Sequence, residues 1–158
     1  MPASVTLAVR TSDVPHGLPG FGFVVPAVER RDLLACTFSS RKWAGRAPDG
    51  FELLRAFVGG VRRPEMVDRD DAALVSAVRA DLARWVGLAG EPVWTRVDRW
   101  RRAMPQYELG HADRLATIDA RVAAFPRLKL AGNAYRGIGI PDSVHSGEAA
   151  ADALLGLT

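Results

Sequence analysis

The stretch Leu128-Lys-Leu-Ala-Gly-Asn-Ala-Tyr-Arg-Gly-Ile-Gly-Ile-Pro-Asp142 is predicted to join a strand, residues 128–131, to a helix, residues 142–155, through a glycine-rich turn. Glycines at 132, 137 and 139 let the backbone approach a flat or anionic ligand, because no Cβ stands in the way. The helix N-terminus offers unpaired N–H groups and a partial positive charge. The turn can therefore hold a phosphate or the polar edge of a flat ring. It can equally be a plain connection, because a Gly-x-Gly pair alone is a weak signal.

Outward from this turn, the hydrophobic pattern predicts a sheet first and helices later. Apolar residues alternate at 5, 7 and 9, and helical spacing follows at Leu74, Val78 and Leu82 between a run of aspartates and Gly87. Strands are predicted at 5–9, 20–25, 33–38, 53–59 and 93–97, and helices at 68–86 and 111–125. Short strands in succession favour an antiparallel sheet.

Composition excludes several classes of protein. With 158 residues, 48% hydrophobic and 25% charged, the chain has the size and balance of a folded domain, and its net charge of only +3 predicts no nucleic-acid partner. The single cysteine, Cys36, excludes an internal disulfide and a multi-cysteine metal site. His16, His111 and His145 lack metal-ligand spacing, so we expect no metal. Absence of a long apolar run or a signal sequence predicts no transmembrane segment and a cytoplasmic location.

A second informative stretch lies upstream, Arg99-Trp-Arg-Arg-Ala-Met-Pro-Gln-Tyr-Glu-Leu-Gly-His111, directly before a predicted helix. Together with the glycine-rich turn it resembles the protoporphyrinogen and coproporphyrinogen oxidases of the flavin amine oxidase superfamily. A looser match is Phe57-Val-Gly-Gly-Val-Arg-Arg-Pro-Glu65, similar to a strand end and turn of those enzymes. The resemblance covers about residues 20–155 in the family's order and is confined to the family's C-terminal portion.

The resemblance implies roles for individual residues. Trp100 matches a tryptophan that packs near the flavin ring, and Gly132 with Asn133 matches the strand end beside the cofactor. Ile138, Gly139 and Ile140 match residues whose backbone contacts the ring at the helix entrance. A structural role stays open for Trp100, as a core aromatic residue, and for Ile138 and Ile140, as residues that only pack the helix onto the sheet. We expect Pro105, Gln106 and Tyr107 to shape the turn before the helix rather than take part in chemistry.

The implied fold is α+β. Residues 1–100 would contribute a mostly antiparallel sheet with packed helices to the substrate domain, and residues 101–158 the last strand and helix of a Rossmann-like FAD-binding domain. A Gly-x-Gly-x-x-Gly fingerprint is missing, as is the family's helical segment. We therefore expect this chain alone to be inactive and to require an N-terminal polypeptide that carries the fingerprint, or to self-associate.

The implied function is that of a C-terminal fragment of an FAD-dependent porphyrinogen oxidase of haem biosynthesis, which uses dioxygen. The complete enzyme would be cytoplasmic, with contact to the membrane surface in some members. The sequence does not separate protoporphyrinogen from coproporphyrinogen as substrate. A non-catalytic flavin- or protein-binding module derived from a flavin amine oxidase relative remains the alternative. So does a relative acting on an amine or polyene, which would keep the glycine turn without the second motif.

Arginines interleaved with tryptophans suggest another hypothesis, a surface that grips phosphates and stacks bases. The arginines are Arg96, Arg99, Arg101 and Arg102. Alternate residues of a strand face opposite sides, so they form no continuous stripe, and Asp98 balances Arg96. A solvated sheet edge, with one arginine near a propionate-bearing substrate, explains them better.

Overall fold

The computed structural model describes residues 2–61, 63–101, 103 and 105–157. The chain divides into two units, Met1–Ala103 and Met104–Thr158, and each is described by itself. Arg102, one of the interleaved arginines, and Met104 of the second motif lie outside the described residues.

The first unit is built on a five-stranded antiparallel sheet with the strand order β2-β3-β4-β1-β5. The strands are β1 Pro2–Arg10, β2 Gly22–Val24, β3 Leu33–Phe38, β4 Phe51–Gly59 and β5 Trp94–Arg99. All five coincide with or overlap the strands predicted from hydrophobic alternation, and their antiparallel pairing confirms the expected mixed sheet-and-helix class. A four-residue helix, α1 Ser39–Lys42, follows β3 and was not predicted.

One face of the sheet carries the core. Alternate residues of the central strands, among them Val5 and Leu7 of β1 and Leu54 of β4, are completely buried. They join one hydrophobic cluster with Leu74, Val78 and Leu82 of helix α2, Asp71–Val86. A fully buried aliphatic side chain contributes roughly 1.5–3 kcal/mol, so this face supplies most of the unit's stability. The opposite face carries the intervening residues and is polar and aromatic.

Helix α2 begins and ends where the sequence signals stand. The Asp70 carboxylate accepts a hydrogen bond of 2.7 Å from the Ala73 N–H, which caps the N-terminus. Gly87 ends the helix with φ of 70°, a left-handed conformation that favours glycine. The helix starts three residues later than predicted, because Pro64–Asp68 forms a 3-10 turn instead.

A buried carboxylate ties α2 to the sheet. Asp81 is 2% exposed, accepts a hydrogen bond of 2.9 Å from the Leu33 N–H, and forms an ion pair with Arg31. Because a buried charge is stable only when it is paired and hydrogen-bonded, these contacts explain an aspartate on the helix face that packs on β3.

The second unit contains helices α3 His111–Val122 and α4 Ile140–Leu155. In this chain residues 128–131 form no regular structure, and no strand of the described part of the chain pairs with them. The strand was expected to pair with strands of an N-terminal polypeptide, so it stays a prediction. A strand exists through hydrogen bonds to a neighbour, so an apolar run alone does not make one. Leu115 is the one buried hydrophobic residue among the described residues of this unit, whereas Phe125, Ile140 and Leu155 are exposed.

Candidate functional site

The glycine-rich turn before α4 uses its glycines for backbone conformation. Gly132 has φ of 111° and Gly137 has φ of 91°, values that L side chains rarely adopt. A Cβ on Gly137 would also lie 2.5 Å from the Cβ of Asp142. The backbone conformation at these two positions therefore favours glycine.

Gly139 is the N-cap residue of α4 and has an ordinary φ of −71°. Its N–H donates a hydrogen bond of 3.1 Å to the Asp142 carboxylate, and a Cβ here would lie 2.8 Å from the same oxygen. Pro141 occupies the first turn, where its missing N–H is tolerated. The helix entrance is thus closely shaped by its own residues.

The two isoleucines at this entrance face outward. Ile138 is 56% exposed and Ile140 is 82% exposed. Neither is a core residue of the second unit. Exposed apolar side chains beside a helix N-terminus provide what a flat ring with one anionic edge requires, namely apolar contact together with N–H donors.

The second motif holds the glycine-rich turn in place. Tyr107 donates a hydrogen bond of 2.7 Å from its hydroxyl to the Asn133 carbonyl oxygen. Its ring stacks on His111, with centroids 4.0 Å apart and an 11° angle between the planes. His111 Nε2 lies 2.8 Å from the Tyr135 carbonyl oxygen. Two main-chain oxygens of the turn are therefore fixed by side chains at the start of α3.

The other side of the turn is fastened to α4 directly. Gly132 donates its N–H to the Ser146 hydroxyl at 3.0 Å, while Asp142, one helical turn earlier, accepts from Gly139. The structure thereby brings Gly132, Asn133 and the 138–140 segment onto one helix entrance. Sequence reasoning identified the motif of Tyr107 and His111 but missed their partners, because those hydrogen bonds go to main-chain atoms and leave no mark in side-chain identity.

Trp100, the remaining predicted site residue, lies in the first unit directly after β5. Its ring is 47% exposed, and its indole N–H donates to the Ser4 hydroxyl at 3.5 Å. Ser4 is fully buried on the sheet face opposite the core. Trp100 is therefore a surface aromatic anchored on that face and not a core residue.

The neighbouring arginines have partners within the first unit. Arg96 pairs with Asp98 at 2.8 Å, as predicted. Arg99 bonds Asp71, the main-chain oxygen of Val67 within the 3-10 turn and that of Arg69 directly after it, and Arg101 pairs with Asp68 at 2.7 Å. The bonds of Arg99 and Arg101 connect the end of β5 and the residues after it to the start of α2, which gives these two arginines a structural role.

Other classes of site find little support. Among the residues that the structure describes, no three of the His, Cys, Asp and Glu side chains are grouped to hold a metal ion. In the same described part, no helix has both the length and the apolarity needed to cross a membrane. Burial raises the pKa of the Cys36 thiol to about 12, which makes it a poor nucleophile.

Comparison with known proteins assigns this arrangement to a family. A sequence model of the flavin containing amine oxidoreductase family matches residues 2–155. The chain belongs to this family. The match runs through the sheet, the glycine-rich turn and the last helix, so both units fall within the family region.

The chain is similar to individual porphyrinogen oxidases of this family. The chain is 36% identical to the coproporphyrinogen III oxidase of Staphylococcus aureus, over 97% of this chain and 33% of the relative. It is 33% identical to protoporphyrinogen oxidase 2, chloroplastic/mitochondrial, of Arabidopsis thaliana, over 98% of this chain and 31% of the relative. The chain thus spans about a third of the length of these relatives.

Solved structures agree in fold. A structure from Exiguobacterium sp. 255-15, provisionally named a protoporphyrinogen oxidase, is 34% identical and superposes with a TM-score of 0.85 over 99% of this chain and 35% of that one. Reduced UDP-galactopyranose mutase, at 16% identity and a TM-score of 0.70, shares the fold.

Proposed function

We propose that this chain is the C-terminal part of an FAD-dependent porphyrinogen oxidase of haem biosynthesis. The observation that carries the proposal is the helix entrance at Gly139, clamped by Tyr107 and His111 and flanked by exposed Ile138 and Ile140. Relatives of this chain carry the names coproporphyrinogen III oxidase and protoporphyrinogen oxidase, which supports a porphyrinogen as the substrate class.

The residues present fit a flavin. A Cβ on Gly139 would crowd the Asp142 carboxylate at the mouth of α4, and the first turn of that helix has N–H groups without intrahelical acceptors. Gly132, Asn133 and the backbone of 138–140 would hold the polar edge of the ring, and Trp100 would pack near it. Bound FAD would supply a two-electron acceptor for the substrate, with dioxygen as the terminal oxidant.

This chain's own residues would bind the flavin and orient its ring. The partial positive charge at the α4 N-terminus favours negative charge near Gly139, and the two isoleucines would give a bound ring apolar contact. Tyr107 and His111 hold the turn rigid and take no part in proton transfer. No acid–base pair among these residues is required, because the hydride chemistry belongs to the cofactor.

The proposed partner is the polypeptide that carries the Gly-x-Gly-x-x-Gly fingerprint, which would complete a Rossmann-like FAD-binding domain. Nearly all buried hydrophobic residues lie in the first unit, while the second unit exposes Phe125, Leu128, Leu154 and Leu155. We propose that these exposed apolar side chains contact that partner or a second copy of the chain. The proposed location is the cytoplasm, where the complete enzyme would contact the membrane surface in some members of the family.

The test is a visible absorption spectrum of the complete flavoprotein, formed with the fingerprint polypeptide, after addition of FAD and removal of free cofactor. We expect retained flavin and conversion of a porphyrinogen to a fluorescent porphyrin. Gly139→Val should release flavin, whereas Gly147→Ala, which meets open space in mid-helix, should retain it. Retained flavin without porphyrinogen oxidation would favour the binding module, and no flavin in any preparation would refute the proposal.

A further inference from the structure

The sheet face opposite the core carries an open cleft in the first unit. Its volume is about 480 Å³, and its floor is formed by side chains of β1, β3, β4 and β5. The lining residues are Thr6, Thr37, Ser39, Lys42, Trp43, Arg46, Leu53, Arg55, Phe57, Trp94, Arg96 and Asp98. The cleft is large enough for a drug-sized ligand. Of its residues, Arg96 belongs to the group of arginines from which the sequence placed one near a propionate-bearing substrate, and the others were not predicted as part of the site.

Strand register places two arginines in one row across the cleft floor. Thr6 of β1 pairs with Arg55 of β4 on one side and with Arg96 of β5 on the other. Thr37 of β3 extends the row beyond Arg55. Neighbouring strands are about 4.8 Å apart, so the two arginine positions are separated by roughly 10 Å. Sequence spacing alone, 41 positions between them, gives no hint of this alignment.

The cleft is strongly cationic. Lys42, Arg46, Arg55 and Arg96 line it together with one carboxylate, that of Asp98, which leaves a formal charge of +3. Asp98 pairs with Arg96 at 2.8 Å. Within the described residues Arg55 forms no ion pair with a carboxylate. Four cations gathered on one concave face repel one another, so the arrangement favours an anionic ligand.

The guanidinium of Arg55 is held ready for such a ligand. It lies 5.4 Å from the centroid of the Phe57 ring, and Lys42 and Arg46 rest over the Trp43 ring at 4.7 and 5.5 Å. Stacking on an aromatic face leaves the N–H edge of a guanidinium free, and that edge matches a carboxylate with two parallel hydrogen bonds. Apolar walls from Trp94, Phe57 and Leu53 complete a site for a carboxylate-bearing aromatic or macrocyclic ligand.

We infer that Arg55 and Arg96 recognise carboxylates of the substrate, and that the cationic cleft selects a tetracarboxylate porphyrinogen over a dicarboxylate one. This inference rests on the proposed function and names the substrate within it. Coproporphyrinogen carries four propionates and protoporphyrinogen two, so a cleft with three net positive charges gains more from the former. Asp98 limits the preference for the tetracarboxylate, because its carboxylate already pairs with one N–H edge of the Arg96 guanidinium.

The test measures quenching of intrinsic tryptophan fluorescence of the full chain by coproporphyrin III and by mesoporphyrin IX, stable porphyrins with four and two carboxylates. We expect tighter binding of coproporphyrin, weakened by added salt. Arg55→Gln and Arg96→Gln should each weaken coproporphyrin binding about tenfold, and mesoporphyrin binding less. Asp98→Asn should strengthen coproporphyrin binding.

The matched control is Arg84→Gln, which removes the same charge from α2, the helix that packs on the other face of the sheet. Thermal melts of all variants identify any that fail to fold, and Arg55→Lys, which keeps the charge but not the paired hydrogen bonds, replaces Arg55→Gln if that variant unfolds. Equal affinity for the two porphyrins, or equal losses in Arg84→Gln and Arg55→Gln, would overturn the inference. So would an oligonucleotide bound in place of porphyrin with the same arginine dependence.

Flavin binding and carboxylate recognition by the cleft are measured separately. Flavin retention by the complete flavoprotein is measured without porphyrin and does not involve Arg55 or Arg96. In that flavoprotein, Arg55→Gln should raise KM for coproporphyrinogen about tenfold while the flavin spectrum is unchanged. If the flavoprotein is active and KM is unaltered in both arginine variants, the proposed oxidase function stands and the cleft does not recognise the substrate.

Discussion

The Tyr107 hydroxyl lies 2.7 Å from the carbonyl oxygen of Asn133, 26 residues along the chain, and donates a hydrogen bond to it. This contact joins the two most informative sequence motifs of the second unit. His111, stacked on the same tyrosine ring, adds a second bond to the turn through the Tyr135 carbonyl. The motif before α3 therefore acts by fixing the backbone of the turn that opens α4.

Replacing Tyr107 by Phe should loosen the glycine-rich turn. The substitution removes the hydrogen bond to Asn133 and keeps a ring that can stack on His111, so the expected loss is about 1 kcal/mol in local stability. Hydrogen–deuterium exchange of segment 132–139 measures it, with faster exchange expected in Tyr107→Phe. Tyr135→Phe is the matched control, since His111 contacts the main-chain oxygen of Tyr135 and not its hydroxyl. Identical exchange in both variants would show that the hydrogen bond from Tyr107 to Asn133 does not hold the turn.

Replacing Asp81 by Ala should strongly destabilise the first unit. The change leaves the Leu33 N–H without its acceptor and Arg31 without its partner, and breaking a buried pair costs about 3–5 kcal/mol. Urea denaturation followed by tryptophan fluorescence measures the free energy of unfolding. Glu91→Ala removes an exposed partner of Arg79 and should change that free energy by less than about 1 kcal/mol. Equal effects of the two substitutions would refute the bridging role of Asp81.

Two glycines of the second unit should respond oppositely to alanine. Gly137→Ala forces a side chain onto a residue with φ of 91° and brings its Cβ within 2.5 Å of Asp142, so we expect a loss of about 1–3 kcal/mol. Gly147→Ala, inside α4 with open space around it, should stabilise the helix by about 0.5–1 kcal/mol. Helix content by circular dichroism during thermal melting separates the two. A gain of helix stability in Gly137→Ala would show that the turn tolerates a side chain.

The buried Cys36 thiol should be unreactive in the folded chain. Burial raises its pKa to about 12 from an ordinary value of 9.0, so the thiolate is scarce at pH 8. We expect a chromogenic disulfide reagent to react with it only after unfolding in urea. Rapid stoichiometric reaction of the native chain at pH 8 would contradict this expectation.

The same pKa shift predicts how stability depends on pH. Above about pH 9 the unfolded thiol loses its proton while the folded one keeps it, so the free energy of unfolding should fall by up to about 1.4 kcal/mol per pH unit until about pH 12. Below pH 9 this contribution is fully present. Urea denaturation at pH 8 and pH 10.5 tests the slope, and Cys36→Ala should have a shallower one.

Sequence signals of short range predicted much of the fold. The alternation in β1 and β4 and the cap signals around α2 operate within a few residues, and the structure confirms these elements. The strand at 128–131 stays a prediction, because strand formation depends on a neighbouring strand and none of the described strands pairs with these residues. The Asp81 bridge was not predicted, since its partners lie 48 and 50 residues away in the chain.

The sequence by itself determined the family, the five strands of the first unit and the three long helices, and the identity of the glycine-rich turn, because periodicity, capping residues and motifs are patterns of neighbouring residues. Tertiary structure alone decided which side chains meet. Strand register set Arg55, Thr6 and Arg96 in one row, and chain reversal between α3 and α4 brought Tyr107 to Asn133. Such contacts arise from hydrogen bonding and packing between distant segments, whose geometry is fixed only when the whole unit folds.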